Sequence, residues 1–195
     1  MANQNAAFGF RAMGKLGSSV NNMATSEYKI ADNAALTLFQ GMIVGNVSGV
    51  ITAGAADLAK PLGVLNGVFI TKDPSTGKPS FKNQYSQTNV ATGETITAFV
   101  YDDPNTLFEV QAGGILAQAA QGNNIDSAGV GGSAISGRST STTASSVTGS
   151  GATAQWRIIR PSSDPENNDI ALANCNYVVK FNEHLYLRTG GGNAT

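Results

Sequence analysis

Thr95 to Gln111 reads TITAFVYDDPNTLFEVQ, and this stretch decides the fold class. Thr95, Thr97, Phe99 and Tyr101 alternate with Ile96, Ala98 and Val100, and the Thr, Val, Ile and aromatic content favours an extended strand. Asp102-Asp103-Pro104-Asn105 has turn chemistry: Asp suits the first position and Pro pre-sets φ at the second. The return run Thr106 to Gln111 sets Leu107, Glu109 and Gln111 on the face opposite Phe108 and Val110. Strand, tight turn and strand together predict a hairpin.

The flanking segments repeat this grammar. SEYKI at Ser26 to Ile30, Leu36 to Phe39, Met42 to Val44 and VSGVIT at Val47 to Thr52 are short strand candidates. Asn33 to Ala56 carries no charge, but Gln40, Asn46, Ser48 and its glycines interrupt it, so it reads as buried or interfacial strands and not as a membrane span. Ala53 to Lys60 has room for one helical turn before Pro61. Leu62 to Thr71 is an apolar run broken by Asn66-Gly67, which reads as two paired strands or as one irregular strand. KDPSTGK at Lys72 to Lys78 is an exposed loop by its turn residues. Near the C-terminal end, QWRIIR at Gln155 to Arg160 and CNYVVKF at Cys175 to Phe181 read as strands, and HLYLR at His184 to Arg188 reads as the partner of the latter.

Two segments break the pattern. Met1 to Thr25 has no acidic residue and no sustained period, yet carries Phe8, Phe10, Met13 and Leu16; it reads as an extended arm with apolar anchors, the bland alternative being a frayed terminus. Gly122 to Ala154 is rich in Ser, Thr and Gly, carries one charge, Arg138, from Ser127 onward, and cannot bury a core of its own. It reads as a linker, an exposed loop or an excursion packed on a neighbouring subunit, and is placed as an insertion within one domain. The expected organisation is an arm at 1–25, a single β domain at 26–189 with an insertion at about 122–154, and a loose tail at 190–195. Short strands punctuated by Gly, Pro and Asn predict an all-β fold, a jelly-roll-like sandwich or a small β-barrel.

The chain of 195 residues suffices for one such domain, able to bury roughly 70% of its unfolded surface. Charged residues make up only 13% with a net charge of -1, and no Lys/Arg cluster offers an electrostatic footprint for nucleic acid. MANQNAAFGF lacks the charged start and apolar core of a secretory signal, so synthesis in the cytoplasm is expected. One cysteine, Cys175, and one histidine, His184, supply neither a disulfide framework nor a closed zinc site. Asp102, Asp103 and Glu109, or Asp164, Glu166 and Asp169, could present oxygen ligands, but neither group has the ordered spacing of a calcium loop. The glycines form no phosphate-binding pattern. No enzyme activity, catalytic residue, cofactor or metal is expected, and no nucleic-acid or membrane partner.

FGFRAMGKLGSSVNN followed by SEYKI, LNGVFIT at Leu65 to Thr71, FVYDDPNTLFEVQA, and DPENND followed by VVKFNEHLY resemble a family of virion structural proteins of tailed bacteriophages, the capsid decoration or cement proteins. The resemblance touches both ends and the middle of the chain and implies a β-rich oligomer on the capsid surface. It suggests the major capsid protein as partner and a homo-oligomer, a trimer before a dimer. Phe8, Phe10, Arg11, Met13, Lys15 and Leu16 are then the candidate capsid contacts. Phe99, Tyr101, Leu107 and Phe108 are the candidate core or subunit-contact residues. The alternative reading is a tail- or fibre-associated adhesin for host glycans.

Overall fold

The computed structural model describes residues 2–17, 24–32, 34–54, 58–90 and 93–187. The expected tail at 190–195, residues 18–23 of the arm and the centre of the helical turn at 55–57 lie outside the described residues. The chain is all-β, with a closed five-stranded barrel and a second, open sheet.

The barrel is made of β2 (Ser26–Ile30), β4 (Ile43–Val47), β5 (Val50–Ala53), β6 (Gly63–Ile70) and β9 (Ile96–Tyr101), in the order β4-β5-β2-β9-β6. It closes where Ile43 and Val44 of β4 meet Val64 and Gly63 of β6. β7 (Ser80–Lys82) extends the far end of β6, and β3 (Thr37–Phe39) pairs with β8 (Gln84–Ser86) alongside. The open sheet runs β1 (Arg11–Lys15), β10 (Thr106–Gln111), β15 (Asn176–Phe181), β14 (Trp156–Pro161) and β11 (Asn124–Ile125), all antiparallel. β12 (Ser127–Ala128) and β13 (Thr142–Thr143) form a small pair beside it.

The stretch expected to be a hairpin is not one. Its turn forms, with the Thr106 N–H bonded to the Asp103 carbonyl at 3.0 Å and the Asn105 N–H to Asp103 Oδ1 at 2.8 Å. But β9 pairs with β2 and β6, and β10 pairs with β1 and β15. Both edges of each strand are taken by distant partners, so the turn is a corner through which the chain leaves the barrel and enters the open sheet. Turn residues set where the chain bends; they do not choose which strand edges bond.

Each sheet has its own core. Ile96, Ala98 and Val100 of β9 point into the barrel with Ile30, Leu38, Val44, Ile51, Leu65, Val68 and Ile70, while their outward neighbours Thr97, Phe99 and Tyr101 are only partly buried. The open sheet buries an aromatic group: Phe10, Phe108, Trp156, Tyr177 and Phe181. Trp156 is stacked between Phe10 (4.2 Å between ring centres) and Phe181 (4.3 Å), with Phe108 edge-on to both Trp156 and Phe181. Ile43 and Val64, the pair that closes the barrel, belong to this second core, whereas the next residues Val44 and Leu65 belong to the first. Strand alternation thus makes one wall of β4 and β6 serve both cores.

Three local readings resolve. Leu62 to Thr71 holds one strand with a bulge between Leu65 and Gly67, not a hairpin, and Phe81 lies against Gly67 where a Cβ would come within 2.5 Å of its ring. His184 to Leu187 is a turn and not a strand, its Leu185 N–H bonded to the Pro61 carbonyl at 2.9 Å. In the Lys72 to Lys78 loop Asp73 is buried: its carboxylate accepts the Ser75 N–H and pairs with Lys82 at 2.5 Å. Those contacts, the Lys82 ammonium first, lower its pKa to about 2.

The Ser/Thr/Gly-rich segment runs along the chain's own open sheet. Asn124 and Ile125 pair with Arg157 and Trp156, and Gly113 N–H bonds the Thr143 carbonyl at 3.1 Å. Ser139, Ser141 and Thr143 are buried, and the Ser139 hydroxyl donates to Ser141 Oγ at 2.8 Å, which donates to the Gly129 carbonyl at 2.9 Å. Backbone and hydroxyl hydrogen bonds order a segment that has few large side chains to pack.

Candidate functional site

The N-terminal segment, the Gln40-Gly41 turn and the Arg138 turn converge at one junction. Gln40 N–H is shared between the Asn83 carbonyl (2.8 Å) and the Gly137 carbonyl (2.9 Å), and Ser139 N–H returns to the Gln40 carbonyl at 2.8 Å. Gly41 accepts from Phe10 N–H at 2.8 Å and donates to the Leu65 carbonyl at 2.8 Å. Gly41 has φ +81° and Gly9 has φ +76°, a region L side chains avoid. A Cβ on Gly9 would also lie 2.6 Å from the Gly41 carbonyl oxygen, so the crossing requires glycine.

Beside this junction lies a cleft of about 210 Å³. Phe8, Phe10, Leu65 and Tyr101 give it apolar walls, and Gln40, Asn66, Arg11 and Arg138 give it a polar margin. Asn66 is the extra residue of the β6 bulge, and Gln40 Nε2 donates to its Oδ1 at 3.4 Å. Arg11 is held by Glu109, and its guanidinium sits 4.9 Å from the Phe8 ring centre. Glu109 itself is buried and also accepts the Ser162 hydroxyl. That face of the open sheet continues as a polar network: Gln111 Nε2 and Asn167 Nδ2 donate to the Gln4 carbonyl at 2.8 and 2.9 Å, and Asn3 Nδ2 donates to the Asp169 carbonyl at 2.8 Å.

The six N-terminal candidates are therefore divided. Phe10 is 2% exposed in the aromatic stack, and Phe8 is half-buried under Arg11. Lys15 is partly covered by its 2.5 Å ion pair with Asp103. Met13 and Leu16 remain 45% exposed. Met13 is the extra residue of a bulge between Ala12 and Gly14, and β1 is terminal in its sheet, so one row of its backbone groups faces away from β10. Of the corner residues, Phe108 is fully buried and Tyr101 packs edge-on against it at 6.4 Å, while Phe99 contacts Phe81 on the barrel's outer wall at 5.6 Å; Leu107 is half-buried.

Burial raises the pKa of Cys175 within the aromatic core. His184 is 1% exposed; its Nδ1 accepts the Tyr186 N–H at 3.1 Å, which leaves the proton of the neutral ring on Nε2, and burial lowers its pKa. Tyr28 donates to Asp102 Oδ2 at 2.6 Å and lies 3.0 Å from the Tyr186 hydroxyl, tying the corner to the C-terminal turn. Among the described residues, no group of three or more His, Cys, Asp or Glu side chains is placed to hold a metal ion, and no helix is long and apolar enough to cross a membrane. Comparison with protein-family models, curated proteins and solved structures finds no match for the chain.

Proposed function

We propose that this protein is a non-enzymatic structural component of a tailed-phage virion, made in the host cytoplasm, that binds the outside of the major capsid shell and stabilises it. The observation that carries this reading is the terminal place of β1 in its sheet, with the exposed apolar side chains of Met13 within it and Leu16 just after it. An edge of this kind accepts an added strand, with main-chain hydrogen bonds supplying affinity and the two apolar groups supplying contact area. In this reading the two packed sheets form a sandwich-like body, residues up to 25 act as the arm that engages the capsid, and about 122–154 is an insertion. Repetition over the lattice, through homo-oligomers with trimers favoured, makes modest single contacts add up.

Of the six N-terminal contacts, Met13 and Leu16 carry the docking, while Phe10 holds the arm to the body. The test is co-sedimentation with purified capsids of the parent phage. Met13→Asp with Leu16→Asp should abolish binding without altering the circular-dichroism spectrum; full retention of binding rejects the reading. Deleting the whole segment is a poorer test, because it removes Phe10 from the stack. The adhesin reading draws on a different feature, the exposed Phe69 and Phe81 rings next to Phe99 on the barrel wall. Saturable glycan-array binding that Phe81→Ala removes would favour it over the capsid reading.

A further inference from the structure

The cleft beside the Gln40-Gly41 junction is too large to be a packing defect. Its volume of about 210 Å³ compares with roughly 10–15 Å³ needed to admit one water on the same measure. Its charge is also one-sided. No acidic residue lines it; Arg11 is committed to Glu109, and the exposed Arg138 guanidinium makes no ion pair among the described residues.

We propose that this cleft binds a carboxylate carried on a short apolar or aromatic body. The guanidinium offers a planar fork that matches a carboxylate through two parallel N–H···O bonds. Phe8 and Ala12, both only partly buried, cover the apolar part of the ligand, which an inorganic anion would leave unused. A single uncompensated cation suits a monoanion; phosphate, nearer a dianion, would want more donors or a second cation. The carboxylate could belong to an acidic side chain of a protein partner or to a free small acid, and the chemistry of the site is the same for both. This inference is independent of capsid binding, because it is measured on the isolated protein.

The experiment titrates the ¹⁵N-labelled protein with phenylacetate, with an acetylated and amidated Phe-Glu dipeptide, with phenylacetamide and with inorganic phosphate, following the Gly41, Leu65 and Asn66 amides. Phenylacetate or the dipeptide should give saturable shifts, weaker at higher ionic strength, and phenylacetamide should not. The tighter of the two acids identifies the source: the dipeptide a protein side chain, phenylacetate a free acid. Arg138→Gln, on an exposed turn, should weaken binding about tenfold, the size of one lost charge-assisted contact, with Arg138→Lys restoring part of it. No saturable shift with either acid, equal affinity for phenylacetamide, tighter binding of phosphate, or full affinity in Arg138→Gln would each overturn the proposal.

Discussion

The barrel and the open sheet solve the same problem differently. The barrel closes on itself and is filled mainly by branched aliphatic side chains from each of its strands, with Tyr85 and Phe39 of the flanking strands packed into the same cluster. The open sheet cannot close and instead stacks Phe10, Trp156 and Phe181, with Phe108 edge-on. The barrel's stability is spread over many similar contacts; the sheet's is concentrated in a few large rings, one of which, Phe10, comes from outside the sheet's strands. The junction at Gly41 is where the two systems are locked together.

The largest expected effect breaks this contrast at its centre. Trp156→Ala should cost about 4 kcal/mol, because it opens a cavity between two stacked rings, whereas Ile96→Val in the barrel should cost about 1 kcal/mol. Trp156→Phe should recover most of the loss, since the indole N–H has no acceptor among the described residues and its removal strands no partner. Urea unfolding midpoints check all three; equal losses for the alanine and valine variants would dissolve the distinction between concentrated and distributed cores.

Next in size is the lock itself. Gly9→Ala should cost about 2 kcal/mol or more, because a strained backbone and a clash with the Gly41 carbonyl act together. Gly49→Ala, also at positive φ but with nothing within 4 Å, isolates the backbone part and should cost about 1 kcal/mol. Thermal unfolding of the pair separates strain from contact.

A smaller effect concerns acid. His184 has a lowered folded-state pKa, so below its unfolded value of 6.5 the unfolded chain takes up a proton that the folded chain resists. Stability is therefore highest above pH 6.5 and falls as pH drops below it. Asp73 adds a second loss from pH 3.8 downward, complete only below about 2. In His184→Gln the loss just below pH 6.5 should flatten while the Asp73 loss remains; denaturation series at successive pH values test this. Smallest is Lys15→Gln, which removes a partly exposed pair with Asp103 and should cost under about 1 kcal/mol, less in high salt.

The alternation in Thr95 to Gln111 was legible as two strands with correctly assigned faces, because side-chain direction has a period of two whatever the strand pairs with. Its pairing was not legible. Asp102 to Asn105 has the same local chemistry in a hairpin and in a corner between sheets, and only β1, β2, β6 and β15, arriving from elsewhere in the chain, distinguish them. The same holds at Asn66-Gly67, where a hairpin signal became a bulge because β9 pairs along both halves of β6. His184 to Leu187 had strand-like composition but is bent into a turn that docks on Pro61.

The candidate cleft was only partly visible. Phe8, Phe10 and Arg11 stood out as apolar and basic groups in an irregular segment, and Tyr101 as an aromatic at the corner. Gln40, Asn66 and Arg138 carried no local signal beyond a lone charge among Ser and Thr and a lone Asn-Gly. Sequence by itself determined that this chain is built of short β-strands, which residues share a face along them, and that it holds a single cysteine and a single histidine, because those properties follow from local spacing and composition. Tertiary structure alone decided which edges meet, how one wall serves two cores, and that Phe8, Gln40 and Arg138 share a cleft, because strand pairing and close glycine crossings are set by contacts between residues far apart in the chain.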